Sequence, residues 1–452
     1  MIKRLVIFGA TGDLTARYLL PGIAALHAAG RLPGGFRLTG AGREDWDGER
    51  FRQWASTQLD RHGSWVSADA RQAVVAASDY VRADAADPDS VASAVAGDGP
   101  VAAYLALPPF VFPAAVSSLH SAGLPDGSRI VLEKPFGENL DEAVSLNRLL
   151  AEVVPEQGVF RVDHFLAMTT VQNVLGSRLA NRVLEPIWNS THIEGIDIVW
   201  EESLALEGRA GYYDGVGALK DMVQNHLLQL LCLAAMEPPV SLDERDLRDH
   251  KVDVLRSVRP LTGGDVLRHT RRARYLAGQI NGQEVPAYVD EDGVDPGHHT
   301  ETFAEVELQL DNWRWQGTTF RLRAAKALGR DRKELAVRFR RVPHLPFGQP
   351  DQETPTNVLR FGLEPESLRL EVSSVGTEPG TLAPLAMTAQ LPPPGLPAYG
   401  ELLLNVLNQD ARLSIRGDEA EESWRVLDPV IDGWSRDLVP LEEYAAGSLG
   451  PA

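Results

Sequence analysis

Basic residues are in deficit in this 452-residue chain: 44 Lys and Arg stand against 63 Asp and Glu, a formal net charge of −19. A surface of that sign argues against nucleic acid and anionic membranes as partners, because both need basic faces. An anionic ligand then requires a locally positive pocket. Cysteine is nearly absent as well. The single one, Cys232, lies in the apolar run LLQLLCLAA, so no internal disulfide can form, and it reads as a small core residue. Long apolar runs are missing too. The opening MIKRLVIFGATG passes into a strand-like run too short to span a membrane, with no cleavage site after it. These absences lead to the expectation of a reduced, cytoplasmic protein. No metal set stands out: His298 and His299 in DPGHHTETF are adjacent, would point apart on a strand, and lack acids or cysteine at ligand spacing. They are expected in a loop, while Trp188, Trp313 and Trp315 are expected in the core.

What is present divides into two parts. The first third alternates apolar runs (4–10, 36–42, 102–109, 129–137) with helical segments, which indicates a parallel sheet covered on both faces. Later runs at 195–203, 302–310, 318–328, 334–342 and 367–375 often alternate and follow one another without regular helices. They indicate a large, mainly antiparallel sheet in an α+β domain. Helical patterns cover 169–184 and 219–235, and the proline-rich AQLPPPGLPAYG precedes a helix in GELLLNVLNQ. The expected fold is therefore an α/β Rossmann-type dinucleotide-binding domain (1–165) and a larger α+β domain (166–452) for substrate binding and oligomerisation. RVDHFLAMTT lies at that junction, and clefts between domains are common ligand sites.

IFGATGDL joins the first strand to the first helix. Gly9 and Gly12 would let the backbone approach a pyrophosphate, and the helix N-terminus would supply N–H groups. The full GxGxxG fingerprint is not there, and a tight turn without ligand is the plain alternative. After the second strand the sequence runs LTGAGRED. Arg43 suits the 2′-phosphate of NADP and Thr11 adds a hydroxyl, whereas Glu44 and Asp45 keep NAD open. NADP is the preferred reading.

IFGATGDL, YLALPP, EKPFG, RVDHFL with VQN, SRLANRVLEPIWN, EGRAGYYD, KDMVQNHLLQLLCLAAMEPP, DNWRWQGTTFRLRAAKAL and YAAGSLGP together resemble the glucose-6-phosphate dehydrogenase family over essentially the whole chain. The resemblance implies oxidation of a hexopyranose at C1 to a lactone, NADP as cofactor, and a homodimer or homotetramer formed through the large sheet. Removing hydride from an anomeric carbon requires a base for the hydroxyl proton, and histidine suits that task at neutral pH. By itself His226 on an apolar helix reads as a core residue; the resemblance makes it the base and Asp163 its orienting carboxylate. It also places Gly9, Thr11, Gly12, Asp13, Leu14, Arg43 and Lys134 at the coenzyme. Lys134, His164, Phe165, Met168, Glu202, Asp221 and Lys326 fall to the sugar, and Pro135 resembles the family's hinge proline. Asp221, five residues before His226, would share its helix face poorly, and Lys326 alone would read as a solvated strand-end lysine.

One segment departs from the family. Its pattern is approximately RIDHYLGKE, in which histidine, tyrosine and lysine grip the substrate's 6-phosphate. Here His164 remains, but Phe165 and Met168 replace the tyrosine and the lysine. Hydrogen bonds to charged groups contribute roughly 1.5–3 kcal/mol each. Losing two weakens phosphate binding over about a hundredfold. The preferred expectation is therefore an altered sugar without the usual 6-phosphate, with Phe165 and Met168 lining an apolar pocket. The alternative is ordinary glucose-6-phosphate 1-dehydrogenase chemistry with a rebuilt anion site using Lys220, Arg178 or Arg182. A non-catalytic NADP-binding regulatory protein is the third reading.

Overall fold

The computed structural model describes residues 1–208, 210–347, 356–377 and 380–452. Arg209 of EGRAGYYD lies outside them. Among the described residues no helix is long and apolar enough to cross a membrane. The chain forms two compact units, but not by a single cut after residue 165. The first takes Met1–Met168 together with Pro239–Asp249 and Pro394–Trp424; the second takes the rest.

The first unit is built on β1 (Arg4–Phe8), β2 (Arg37–Gly42), β3 (Ser78–Arg82), β4 (Val101–Leu105), β5 (Arg129–Glu133) and β6 (Val159–Val162). They pair in parallel in the order β6-β5-β4-β1-β2-β3, the doubly wound arrangement expected for a dinucleotide fold. Apolar residues on both faces of β1 and β4 allow the sheet to be covered on two sides: Leu5 to Phe8 and Val101 to Leu105 are buried. The late segment completes this unit. Ser414–Ile415 adds an antiparallel edge strand to β6, and the helix Ala398–Asn408 buries Leu403, Val406 and Leu407 in the same core as Leu19, Leu20 and Ile23. At that edge Arg161 is fully buried, with its guanidinium on Glu156 at 2.8 Å and on Asn147 at 2.6 Å.

The second unit carries a nine-stranded sheet. Its strands, in chain order, are β7 (Ile193–Glu201), β8 (Thr270–Leu276), β11 (Phe303–Gln309), β12 (Thr319–Ala325), β13 (Arg332–Phe339), β14 (Val358–Leu363), β15 (Glu366–Val375), β16 (Leu382–Gln390) and β18 (Leu441–Ala445); two-stranded β9 (Gly278–Ile280) and β10 (Gln283–Val285) stand apart, and Ser414–Ile415 is β17. The order is β16-β15-β14-β13-β7-β12-β11-β8-β18, antiparallel except for β7/β12 and β8/β18. Alternation along β12 buries Phe320, Leu322 and Ala324 and leaves Arg321 and Arg323 on the opposite face. There Arg321 and Arg338 meet Asp197, and Arg323 and Arg332 meet Glu201. Trp188 and Trp315 are buried as expected, but Trp313 is fully exposed. Cys232 is buried, as expected. The helical pattern 169–184 stops at Leu179, and a further helix at Gly417–Ser435 escaped the periodicity reading.

Candidate active site

In the first unit, Gly9 follows β1 with a φ of +80°, and a Cβ there would lie 2.2 Å from the Ala106 carbonyl oxygen. Only glycine fits so close an approach. Gly9, Thr11, Gly12, Arg43, Glu44 and Leu107 contribute to the lining of a cavity of about 500 Å³ at the C-terminal ends of the strands. This is where a doubly wound sheet receives a dinucleotide. A bare cradle, a helix start and an exposed arginine beside it fit the pyrophosphate and the adenosine end of such a coenzyme. Of the next two positions, Asp13 pairs with Arg17 at 2.8 Å and Leu14 packs against the core.

Glu44 has both oxygens engaged. Oε1 accepts from the Thr11 hydroxyl at 2.8 Å and Oε2 from the Tyr80 phenol at 3.1 Å. Burial pushes its carboxyl up, yet those bonds, a backbone N–H and Arg43 hold it below the usual range.

The junction segment forms a tight 3₁₀ turn, His164–Ala167, because the buried Asp163 accepts the Phe165 N–H at 2.9 Å as its N-cap. Phe165 is itself 3% exposed, whereas His164 and Met168 stay half-buried. Lys134, at the end of β5, is also half-buried and follows Glu133, whose carboxyl burial pushes up to about 7.

In the second unit, Leu219–Leu227 is a π-helix and continues as the α-helix Leu228–Ala235. This overturns the objection to Asp221. A π-helix bonds i to i+5, so residues five apart lie one turn above each other, and Asp221 and His226 share a face. Asp221 accepts the Tyr212 hydroxyl at 3.2 Å, and His226 is 2% exposed. The helix start is pinned by the buried Glu301, which accepts the Leu219 N–H at 2.9 Å and which burial raises to about 7. Gly217 (φ +70°) makes room, since a Cβ there would come within 2.3 Å of Glu301. Lys326 is not a solvated strand end: it is 8% exposed, 2.9 Å from Glu202 and over the Tyr213 ring. Burial opposes ionisation of Glu202, but Lys326 and then Lys333 keep its carboxyl low.

Of the cations considered for a rebuilt anion site, Arg178 is spent on structure. It is fully buried, bonds the carbonyls of Leu233, Ala234 and Met236 and pairs with Glu185. Burial lowers its guanidinium to about 10. Arg182 is exposed and Lys220 half-buried. Sequence reasoning gave no role to Glu133, Tyr104, Tyr399 or Glu301. The first two stood inside quoted motifs; Tyr399 and Glu301 act across long sequence separations that no local pattern records.

Two family models match the chain: "Glucose-6-phosphate dehydrogenase, NAD binding domain" over residues 6–173 and "Glucose-6-phosphate dehydrogenase, C-terminal domain" over residues 175–452. Glucose-6-phosphate 1-dehydrogenase of Zymomonas mobilis is 37% identical, covering 100% of this chain and 96% of that protein. The Treponema pallidum enzyme of the same name is 38% identical over 99% of this chain and 92% of its own length. Among solved structures, a glucose-6-phosphate dehydrogenase in complex with glucose 6-phosphate superposes with a TM-score of 0.88 at 28% identity, covering 99% of this chain and 95% of that one. The Mycobacterium avium enzyme gives 0.86 at 31% identity, covering 99% and 95%. With a glycine cradle at the strand ends, a buried histidine on a π-helix and both family domains matched end to end, the chain belongs to the glucose-6-phosphate dehydrogenase family and is an NAD(P)-dependent oxidoreductase.

Proposed function

We propose that the protein is a glucose-6-phosphate 1-dehydrogenase using NADP, with His226 as the base, Asp163 as its carboxylate partner and a weakened clamp for the 6-phosphate. The observation that carries this reading is full-length likeness to enzymes of that name, at 36–38% identity. The expectation of an altered sugar draws no support from those likenesses, and the ordinary substrate fits them better. NADP supplies the hydride acceptor. His226 takes the proton of the C1 hydroxyl as the C1–H bond breaks, so that the lactone carbonyl forms without a free oxyanion. Asp221 and Glu202, both acceptors when ionised, receive hydrogen bonds from sugar hydroxyls, and Lys326 donates beside them. His164 binds the phosphate. A homodimer or homotetramer built on the charged face of the nine-stranded sheet completes the reading.

The test is kcat/KM with NADP for glucose 6-phosphate against free glucose. The phosphorylated sugar is expected to lead by at least about tenfold, since one retained charge-assisted contact is worth roughly 1.5–3 kcal/mol. Equal or better use of glucose would defeat the proposal.

Coenzyme choice gives a second expectation. Glu44 is tied to Thr11 and Tyr80, which leaves the exposed Arg43 for a 2′-phosphate. Arg43→Ala should lower kcat/KM with NADP by about 10- to 100-fold and leave NAD within about threefold. A parallel fall for both coenzymes would remove Arg43 from the 2′-phosphate.

A further inference from the structure

Next to Lys134 in the chain, the first unit holds a half-buried acid, Glu133, with two phenols. Tyr104, fully buried near the end of β4, donates its hydroxyl to Glu133 Oε1 at 2.5 Å. Tyr399, in the first turn of the helix Ala398–Asn408, bonds the same carboxylate. Burial raises both tyrosines far above their ordinary range, so both remain protonated donors. Glu133 itself precedes Lys134 in the chain. The Tyr399 ring lies almost parallel to the His164 imidazole, with centroids 5.6 Å apart and an angle of 18°. Phe165 closes on that imidazole edge-on, at 5.1 Å and 81°. Tyr18 stands on Tyr399 at 5.1 Å.

We infer that Tyr399, through the stacking of its ring, is a positioning residue that fixes the plane of His164 and thereby sets affinity for the sugar phosphate. The inference rests on the reading of His164 as the phosphate ligand. A side chain already held in its binding rotamer loses less freedom when ligand arrives. Stacked aromatic pairs at this separation are attractive beyond the area they bury. The device matters more here than in a chain with the usual clamp. Phe165 and Met168 contribute no phenol and no ammonium, so the orientation of one imidazole carries a larger share of the grip. One acid also serves two ligands: it is joined to Lys134 by the backbone and to His164 through Tyr399.

The experiment compares Tyr399→Leu, which removes the ring, with Tyr399→Phe, which keeps the stack and loses the hydroxyl. In Tyr399→Leu the KM for glucose 6-phosphate should rise about tenfold, with kcat and the KM for NADP within about twofold. Tyr399→Phe should recover most of that loss. Independently of substrate, histidine-selective NMR should show the carbon-bound protons of His164, assigned by their absence in His164→Gln, losing their ring-current shift in Tyr399→Leu and keeping it in Tyr399→Phe. Unchanged His164 resonances in Tyr399→Leu, or equal damage from both variants, would overturn the inference. Should Tyr399→Leu fail to fold, Tyr399→Met carries the same readouts. Failure of the unaltered enzyme to use glucose 6-phosphate would instead strike the substrate reading, while the His164 resonances still decide the stack.

Discussion

Replacing His226 by Asn is expected to lower kcat by about 10²- to 10⁴-fold, the range that a positioned general base contributes, with KM values for sugar and coenzyme little changed. His226 is 2% exposed on a π-helical stretch whose first N–H is held by the buried Glu301, so its ring is fixed by the fold rather than by ligand. Asn keeps a polar group of smaller volume there and cannot accept a proton. The Asn225 side chain still accepts the N–H of residue 226, since that donor belongs to the backbone. Binding is therefore retained and the proton transfer is lost. Reduced coenzyme, followed by its absorbance, measures the rate, and a thermal melt close to that of the parent excludes unfolding. Turnover within tenfold of the parent would remove His226 from the chemistry.

The π-helix also marks a limit of sequence reading. Apolar spacing showed a helix over 219–235 correctly, but periodicity assumes 3.6 residues per turn. It therefore put Asp221 and His226 on different faces, and the i+5 bonding of the real segment returns them to one. The alternating strands of the large sheet were legible because one face is apolar and the other charged; β12, with Phe320 and Leu322 opposite Arg321 and Arg323, is an example. The chain order of the units was not. Nothing in LLLNVLN states that its leucines pack with Leu19 and Ile23, nearly 400 positions earlier, nor that Ser414 would pair with Val162. Such contacts depend on the tertiary fold. The tight turn at Gly9 was readable from its short motif; the contacts of Tyr399 and Glu301, which reach across long separations, were not. Lys326 shows the same limit from the other side, since its burial against Glu202 depends on two strands meeting.

Met168→Lys combined with Phe165→Tyr is expected to lower the KM for glucose 6-phosphate by about 100-fold or more, with kcat nearly constant. Each new donor to a dianion contributes roughly 1.5–3 kcal/mol, and the lower end of that range already gives about 3 kcal/mol for two. The phosphate is remote from C1, so the gain is felt equally in ground and transition states and falls on KM. The two sites differ. Met168 is half-buried, and a lysine there can keep its ammonium hydrated until the phosphate arrives. Phe165 is 3% exposed, and a hydroxyl added to its ring enters a packed environment at a cost of about 1–3 kcal/mol unless a partner is present. The single Met168→Lys should therefore deliver most of the affinity. Phe165→Tyr alone should lower the melting temperature in the absence of sugar and regain it with glucose 6-phosphate bound. Because the added lysine acts through charge, the improvement should shrink as salt rises from about 0.01 M, where the Debye length is about 30 Å, to about 1 M, where it is about 3 Å. A KM unmoved by the double replacement would show that the anion is held away from residues 165 and 168, by cations supplied elsewhere in the chain.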